Sequence, residues 1–410
     1  MTLSSTFRIG WRNLWRNKRR TLLAVAAVGL SQALVLFYGG ILTGYGDWMV
    51  ETITGPLLGH AQAHAPGWRK DRAMDRALPN VEAALRAIRS DPDVANASAR
   101  IYAPALAAKG EQGHAIVVVG IAPRLEAGRS GLLAGSATLP AGKRVLVGRS
   151  LAVRMGVTEG DTLALVGQGA DGSLANDLYV VAASVSTPVD LVNRSGLLMD
   201  LPEAQSLFAM PDAAHEIVIH ARDPRRSAAV AARVAARPEL RGAEVIDWER
   251  LAPELVSLVE LVRAAWLFVL ALVFIAAAAG VANTMLMATF ERTREIGMLL
   301  ALGCSPRRIL RMIVVESVTL GVLGALAGTA LGVGGILAAH RGGLDLSRMA
   351  SGAPQELAFA GLQVSMRIFP AVNALHVVQG FVAVVLTALV ASIWPAARAA
   401  RLQPSRAMRG

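Results

Sequence analysis

The 410-residue sequence contains one cysteine, Cys304, and little charge for its length. A single cysteine excludes an intramolecular disulfide and a metal site built on several thiolates, so an exported domain would have to fold on core packing alone. Charged residues make up only 17% of the chain, whereas hydrophobic residues make up 54%. This balance is atypical of a fully soluble protein and indicates a membrane protein that carries a sizeable soluble part.

Sequence motifs for several kinds of chemistry are also missing. The phosphate-binding motif GxxxxGK[ST] does not occur, and its nearest approach, residues 137–144, lacks the first glycine and the final hydroxyl residue. GxSxG, HExxH and EF-hand patterns do not occur either. His60 and His64 have the spacing of two metal ligands on a helix, but no suitable third ligand lies nearby, which favours a structural role. We therefore predict no catalysis, no metal site and no cofactor bound by this chain.

Four long apolar runs can each cross a bilayer core, which takes about 20 residues. We predict transmembrane helices at 21–46, 263–290, 310–340 and 368–397. The first run is much longer than the hydrophobic region of a signal peptide, so we expect it to be retained as an anchor. The predicted fold is an α-helical membrane protein with four transmembrane helices and a large α+β domain, residues 47–262, inserted between the first and second helices.

Charge predicts the orientation of these helices. The first twenty residues hold no acidic residue, and the C-terminal end is also purely basic. Positive residues favour the cytoplasmic side, so both termini are expected there, with residues 47–262 and a short loop at 341–367 in the periplasm. Residues 1–20 are predicted to form an interfacial helix, and 398–410 a cytoplasmic tail. The basic residues concerned are Arg8, Arg12, Arg16, Lys18, Arg19, Arg20, Arg398, Arg401, Arg406 and Arg409.

The net charge of +11 does not require a nucleic-acid partner. Basic and acidic residues are nearly balanced in the predicted domain, so the excess arises mainly at the cytoplasmic ends. A basic run beside a membrane anchor is well explained by attraction to anionic lipid. We therefore expect membrane lipid, and no nucleic acid, as the partner of these ends.

Periodicity and turn residues predict the elements of the large domain. Residues 81–89, 150–155, 202–208 and 227–236 are predicted helices, and 115–120, 145–147, 162–166, 178–185 and 216–220 are predicted strands. Asp171 and Gly172 fit the tip of a hairpin. A last helix at 248–262 is predicted to continue into the second transmembrane span without a flexible linker.

The third span has two features that are unusual in a lipid-facing helix. Gly324, Gly328 and Gly332 form a small-residue stripe that allows another helix to approach, either within the chain or across a dimer. Glu316 lies inside the same span, where an ionised carboxylate is costly, so we expect it to reach the interface or to be paired.

The most informative stretch is residues 291–309, ERTREIGMLLALGCSPRRI, between the second and third spans. It predicts a short charged helix on the cytoplasmic face, held to the bilayer by Ile296, Leu299 and Leu300. Gly303 and Pro306 are expected to end this helix. Spacing alone favours equally a solvated charged cap and a docking site. The charged side chains in question are Glu291, Arg292, Arg294, Glu295, Arg307 and Arg308.

Residues 283–317, NTMLMATFERTREIGMLLALGCSPRRILRMIVVES, resemble the signature of permeases in the MacB and FtsX superfamily of ABC transporters. RNLWRNKRRTLL before the first span and WPAARAARLQPSRAMR at the end resemble that family's flanking segments. In the large domain, GKRVLVGRSLAVRMGVTEGDTLAL and VDLVNRSGLLMDLPEAQSLF resemble lipoprotein-releasing permeases. The loop 167–176 is shorter than the one with which such permeases engage a periplasmic chaperone, which argues against direct chaperone capture by this chain.

The resemblance implies a mechanotransmission device in the bacterial inner membrane. Paired permease subunits, two copies or a copy and a paralogue, would sit on two cytoplasmic ATPase subunits that bind ATP and Mg²⁺. The leading hypothesis is release of lipoproteins or other lipid-anchored cargo at the outer membrane face, with a periplasmic or outer-membrane partner as a further expectation. The residues that match the coupling helix and its surroundings are Glu291, Arg292, Arg294, Glu295, Gly297, Gly303, Arg307, Arg308, Arg398 and Arg401.

Three other functions are also compatible with the sequence. One is a tripartite efflux permease like MacB, and another is a transducer like FtsX that regulates a cell-wall hydrolase. The periplasmic domain of such a transducer is usually much smaller than residues 47–262. An exported hydrolase on a membrane anchor is least favoured, because it leaves residues 291–309 unexplained.

Overall fold

The computed structural model describes residues 18–128, 131–133, 138–345, 356–359, 362–365 and 367–401. Most of the predicted interfacial helix, with Arg8, Arg12 and Arg16, lies outside these ranges, as do Arg406 and Arg409 of the tail. The chain divides into two compact units. The helical unit comprises residues 1–47, 259–346 and 367–410, and the mixed unit comprises 48–258 and 347–366.

The described part of the chain contains thirteen α-helices and fifteen strands, numbered in chain order, together with one π-helical turn and two short 3-10 helices. The helices are α1 (Lys18–Ile53), α2 (Trp68–Asp71), α3 (Val81–Arg89), α4 (Pro123–Glu126), α5 (Arg149–Met155), α6 (Asp190–Ser195), α7 (Leu201–Leu207), α8 (Ser227–Ala235), α9 (Trp248–Leu251), α10 (Pro253–Glu291), α11 (Thr293–Ala301), α12 (Pro306–Gly342) and α13 (Ala374–Ala400). The strands are β1 (Ala61–His64), β2 (Leu78–Pro79), β3 (Val94–Lys109), β4 (Gln112–Ile121), β5 (Arg144–Gly148), β6 (Thr162–Gln168), β7 (Leu174–Val185), β8 (Gly196–Asp200), β9 (Ala213–Ala214), β10 (Glu216–Ala221), β11 (Glu244–Asp247), β12 (Leu344–Asp345), β13 (Glu356–Phe359), β14 (Leu362–Ser365) and β15 (Arg367–Ile368).

Among the described residues, four helices are long and apolar enough to cross a membrane: α1, α10, α12 and α13. Their positions agree with the four apolar runs, but α13 begins at Ala374, later than the predicted 368. Pro370 disfavours helix for the residue before it, and Asn373 caps the helix by accepting a hydrogen bond from the Leu375 N–H at 3.0 Å. The predicted loop at 341–367 contains short strands, with β12 paired to β15 and β13 paired to β14.

The glycine stripe of α12 packs against α1 of the same chain. A Cβ at Gly324 would lie 2.6 Å from the Val28 side chain, and one at Gly332 would lie 3.0 Å from the Leu36 side chain. Between them, Gly328 meets the backbone of Gly29. Only glycine allows such close backbone contact, so this geometry favours intramolecular packing over dimerisation as the role of the stripe.

We predict that Gly328→Ala destabilises the protein by about 1–3 kcal/mol, as overpacking does in well-packed cores. The added Cβ would meet the Gly29 carbonyl oxygen and lie 2.6 Å from the Gln32 Cβ, and neither atom is the far end of a flexible side chain. Gly334→Ala in the same helix is the matched control, because a Cβ there meets no heavy atom within 4 Å. Thermal unfolding midpoints of the purified full chain should fall for Gly328→Ala only, and equal midpoints for the two variants would contradict the packing argument.

The mixed unit contains two sheet regions that share β3. Strands β11, β1, β10 and β3 form an antiparallel sheet in that order, with α3 following β1 and α8 following β10. This is the order of a split βαβ, ferredoxin-like arrangement. The second region is a closed sheet, β3-β4-β8-β5-β7-β6, in which β6 pairs back onto β3. Tyr179 and Phe208 are among the large residues buried in its core.

Most predicted elements of the mixed unit are confirmed, and one is wrong. The helix 81–89 coincides with α3, and Gly172 has the positive φ of 84° expected at the hairpin tip between β6 and β7. The predicted continuous helix from 248 breaks at Ala252 instead. Pro253 disfavours helical geometry at the preceding residue, and a new helix, α10, begins with that proline.

The two histidines considered as metal ligands lie at a strand rather than on a helix. His60 precedes β1 and His64 ends it, so their spacing does not place them on one helical face. His60 Nδ1 accepts a hydrogen bond from the Ala221 N–H at 3.0 Å. Within the described ranges, no group of three His, Cys, Asp or Glu side chains could hold a metal ion.

We predict that the protein loses stability as the pH falls from about 6.5 towards 4. Burial, with a smaller contribution from His220, lowers the pKa of His60 from 6.5 to about 4. The unfolded chain therefore binds the proton first, and the contribution of neutral His60 is complete above about pH 6.5 and lost towards pH 4. Between pH 7.5 and pH 5.0, protonation linked to His60 lowers the free energy of unfolding by about 2 kcal/mol. Burial lowers the pKa values of His64 and His215 in the same direction.

Unfolding midpoints of the full chain at pH 7.5 and 5.0 measure this effect. The difference between the two midpoints should shrink in His60→Gln. A wild-type midpoint that is the same at both pH values would contradict the prediction.

Candidate functional site

The candidate site is the segment between α10 and α12. Gly303 has a φ of +85°, its N–H donates to the Leu300 carbonyl at 3.1 Å, and the Cys304 N–H donates to the Leu299 carbonyl at 2.9 Å. This pair of bonds is a Schellman cap, which ends α11. Pro306 then occupies the first turn of α12, where its missing N–H is not needed. The predicted helix end at Gly303 and Pro306 is confirmed.

The inner face of α11 packs on protein. Ile296 is 3% exposed and joins a buried cluster with residues of α12 and α13, while Leu300 packs at its edge. The expectation that Ile296 contacts the bilayer was therefore wrong, because Ile296 is buried on the helix face turned towards α12 and α13. Gly297 is also buried, and Leu299 is 39% exposed. The remaining members of the buried cluster are Ile309, Ile313, Ala396 and Ala399.

A charged pair fastens the start of this segment to α12. Arg292 Nη1 lies 3.2 Å from both Oε1 and Oε2 of Glu316. The Arg292 side chain is 21% exposed and that of Glu316 is 11% exposed, so the pair is largely desolvated. The expectation that Glu316 is paired is confirmed. The Arg292 guanidinium group offsets the charge of Glu316 within the chain, and the predicted contact of Arg292 with an ATPase stays a prediction.

The outer face of α11 presents apolar side chains to solvent between charged ones. Met298 is 52% exposed and Leu302 is 79% exposed, and both follow Arg294 at intervals of four residues. Sequence reasoning missed these two side chains, although this i, i+4, i+8 spacing could have revealed them. Glu295 is exposed on the same helix. We call the exposed set Arg294, Glu295, Met298, Leu302, Arg307 and Arg308 the coupling surface.

Two arginines complete this surface at an electrostatically unfavourable place. Arg307 and Arg308 are exposed in the first turn of α12, which carries no acidic residue. Cations at a helix N-terminus oppose the helix dipole, at a typical cost of about 0.3–1 kcal/mol each. The helix dipole therefore does not account for the two arginines.

The basic residues at the end of α13 differ in their surroundings. The Arg398 guanidinium lies 5.7 Å from the centre of the Phe290 ring and 5.8 Å from that of Trp394. The structure thus brings Arg398 to the end of α10, beside the segment between α10 and α12. Arg401 is exposed just after α13 ends.

Sequence comparisons match this chain, over different lengths, to a protein family and to individual proteins. Residues 267–404 match the family described as FtsX-like permease C-terminal. The lipoprotein-releasing system transmembrane protein LolC of Xylella fastidiosa strain Temecula1 is 25% identical over 338 residues, which cover 78% of this chain and 79% of that protein. The macrolide export ATP-binding/permease protein MacB of Chlorobaculum tepidum is 36% identical over 130 residues, covering 32% of this chain and 16% of that protein.

A solved structure matches part of the chain as well. The periplasmic region of MacB from Actinobacillus actinomycetemcomitans aligns with a TM-score of 0.37 and 9% identity, covering 50% of this chain and 96% of that one. Taken together with the four apolar helices, the sequence matches confirm the resemblance to the MacB and FtsX superfamily. They support an ABC transporter permease that crosses the membrane several times.

Proposed function

We propose that this chain couples ATP hydrolysis by a separate cytoplasmic ATPase to the release of lipoproteins or similar lipid-anchored cargo at the outer face of the bacterial inner membrane. The observation that carries the proposal is the coupling surface, where Leu302 is 79% exposed at the end of a helix whose opposite face is buried. Exposed apolar side chains within a charged rim are typical of protein-binding sites.

In this mechanism the coupling surface receives force and the inner face of α11 passes it on. Met298 and Leu302 would occupy a groove of the ATPase, with Arg294 and Glu295 at the rim of the contact. The buried Ile296 and the Arg292–Glu316 pair join α11 firmly to α12, so displacement of α11 moves that helix too. The ATPase would hold ATP and Mg²⁺, and this chain would supply docking and transmission.

The continuous helix α10 offers a route by which displacement can pass away from the coupling surface. α10 runs for 39 residues from Pro253 to Glu291, where it meets the segment that contains α11. A helix of this length without an internal proline resists bending, so a shift at one end is carried towards the other. The break at Ala252 then separates α10 from α9.

The proposal places both termini and residues 291–309 in the cytoplasm, supported by the basic flanks of the spans. Single cysteines at Asp171 and Ser305, introduced in a Cys304→Ser background, test this orientation. An impermeant thiol reagent added to intact spheroplasts should label position 171 only. Labelling of position 305 from outside would overturn the orientation.

The cargo assignment is supported by the extent of the match to a LolC protein, which covers most of both chains. Efflux of a soluble compound is the second candidate, supported by the higher identity to a MacB protein over a shorter stretch of 130 residues. Proteoliposomes that carry the chain and its ATPase distinguish them. ATP-dependent release of a fluorescent triacylated lipoprotein, with no transport of a macrolide, supports the first candidate, and the reverse result supports the second.

Co-purification with the ATPase tests the docking role. Glu295→Lys reverses one charge on the coupling surface and is expected to reduce recovered ATPase several-fold and to lower ATP turnover by the complex. Glu159→Lys is the matched control, because Glu159 is an exposed carboxylate of the mixed unit. Recovery and turnover equal to wild type for Glu295→Lys would refute docking through this side chain.

A further inference from the structure

The residues that follow α1 are held by hydrogen bonds from buried side chains to their carbonyl groups. Residues Thr54–Leu58 form a single π-helical turn after α1, and Thr54, Gly55 and Pro56 are buried. The last carbonyl groups of a helix have no partner within the helix and normally bond to water or to a cap in the following loop. Here three consecutive carbonyls, those of Gly55, Pro56 and Leu57, accept hydrogen bonds from buried basic side chains.

Arg100, from the middle of β3, supplies two of these bonds. Its Nη2 donates to the Pro56 carbonyl at 3.0 Å and its Nη1 to the Leu57 carbonyl at 3.0 Å. The side chain is fully buried, at 0% exposure. The planar guanidinium group can hold two carbonyls and a carboxylate at once, which the single ammonium group of lysine cannot do with the same geometry.

Glu126 neutralises Arg100 on its other side. Arg100 Nε donates to Glu126 Oε1 at 2.8 Å, and Nη2 donates to Oε2 at 2.8 Å. Glu126 is 1% exposed, and its Oε2 also accepts from the Leu132 N–H at 2.9 Å. Burial opposes ionisation of Glu126, but the adjacent Arg100 holds its pKa below the ordinary value. The guanidinium is thus kept in one orientation, aimed at the turn.

His220 supplies the third bond from the neighbouring strand. Its Nε2 donates to the Gly55 carbonyl at 2.8 Å, and the residue is 6% exposed. It lies on β10, which pairs antiparallel with β3. The turn is therefore bonded to two adjacent strands, β3 and β10, of the four-stranded sheet. We call Arg100, Glu126 and His220 the carbonyl clamp.

We propose that the carbonyl clamp is the mechanical joint that delivers displacement of α1 to the sheet of the mixed unit. The inference rests on the proposed function, in which movement begins at the coupling surface. Charge-assisted hydrogen bonds are about twice as strong as neutral ones, and these are shielded from water. A pull along α1 would therefore move β3 and β10 instead of unwinding residues 54–58. Arg100 and His220 are positioning residues in this scheme.

The test compares Arg100→Lys with Arg233→Lys in the full chain. Arg233 is the matched control, because it also pairs bidentately with a carboxylate, at 2.8 and 2.9 Å from Asp91, but that pair joins α8 to the residues that follow α3. The first measurement is amide hydrogen exchange of residues 54–60 without nucleotide. Arg100→Lys should exchange about tenfold faster there, with the closed sheet still protected, and Arg233→Lys should match wild type.

The second measurement uses the complex with the ATPase, with and without ATP and vanadate. Wild type and Arg233→Lys should show nucleotide-dependent changes in exchange in both α11 and the mixed unit. Arg100→Lys should keep the change in α11 and lose most of it in the mixed unit. A merely structural role for Arg100 would alter stability without separating these two responses.

The outcomes distinguish the clamp from the proposed function. Unchanged exchange at residues 54–60 in Arg100→Lys, or a full nucleotide response in its mixed unit, overturns the clamp. If wild type shows no nucleotide response in α11, the proposed function fails, whatever the exchange at the turn. Should Arg100→Lys unfold, His220→Gln provides the same comparison, since it alters one carbonyl contact and leaves the Arg100–Glu126 pair in place.

Discussion

Leu302→Asp is expected to weaken binding of the ATPase by about 30-fold, which corresponds to a loss of about 2 kcal/mol for a central contact residue. Leu302 is 79% exposed, so aspartate at this position should not disturb folding of the chain itself. In the complex the same position would become buried, and an unpaired carboxylate is strongly disfavoured there. The effect should therefore appear in affinity and not in stability.

The measurement is a titration of fluorescent ATPase against the detergent-solubilised chain, with unfolding midpoints recorded in parallel. Val153→Asp is a matched control, because Val153 is also 79% exposed but lies in the mixed unit. Met298→Asp should behave like Leu302→Asp with a smaller effect, since Met298 is 52% exposed. Equal affinity for Leu302→Asp and wild type would mean that the ATPase binds elsewhere, or not at all.

Removal of one partner of the Arg292–Glu316 pair is expected to destabilise the protein by about 3–5 kcal/mol. The two side chains are 21% and 11% exposed, so either charge alone would remain largely desolvated after losing this partner. Glu316→Leu leaves the Arg292 guanidinium without its carboxylate, and Arg292→Leu leaves the carboxylate in the apolar part of α12. The double variant with leucine at both positions should recover much of the loss, because neither charge is left buried.

A double-mutant cycle on unfolding midpoints measures the coupling between the two residues. Coupling close to zero would contradict the pairing.

The single variants also report on the transmission of movement from α11 to α12, because α11 would lose one of its attachments to α12. ATPase binding should persist in the single variants, since the coupling surface is intact, while cargo release for each ATP hydrolysed should fall. Lys109→Ala is a suitable control, because it breaks a partly exposed pair with Asp161 in the mixed unit.

Local patterns in the sequence predicted the elements with little error. Long apolar runs identify membrane helices because every backbone group in lipid must bond within its own segment. The helix at 81–89 was equally clear, since apolar side chains recur on one face between Pro79 and Pro92. Where local signals compete, prediction was weaker: the helical pattern across 248–262 hid the break that Pro253 imposes at Ala252.

In the candidate site, too, some features followed from the local sequence and others did not. The sequence determined that residues 291–309 form a short charged helix ended by Gly303 and Pro306, because glycine and proline act on the backbone of their immediate neighbours. It could not determine which charges face outward. Only the tertiary structure assigns Arg292 to Glu316, 24 residues away, and leaves Met298 and Leu302 in solvent.

Contacts between distant residues were beyond sequence reasoning for one physical reason. Local conformation depends on neighbours within a few positions, whereas burial and pairing depend on which elements meet in space. The bonds from Arg100 and His220 to residues 55–57 join positions 43 to 165 residues apart and have no local signature. The sequence by itself thus determined the spans, the short charged helix and the absence of an ATP-binding motif. The tertiary structure alone decided which face of α11 is exposed and how the end of α1 is held.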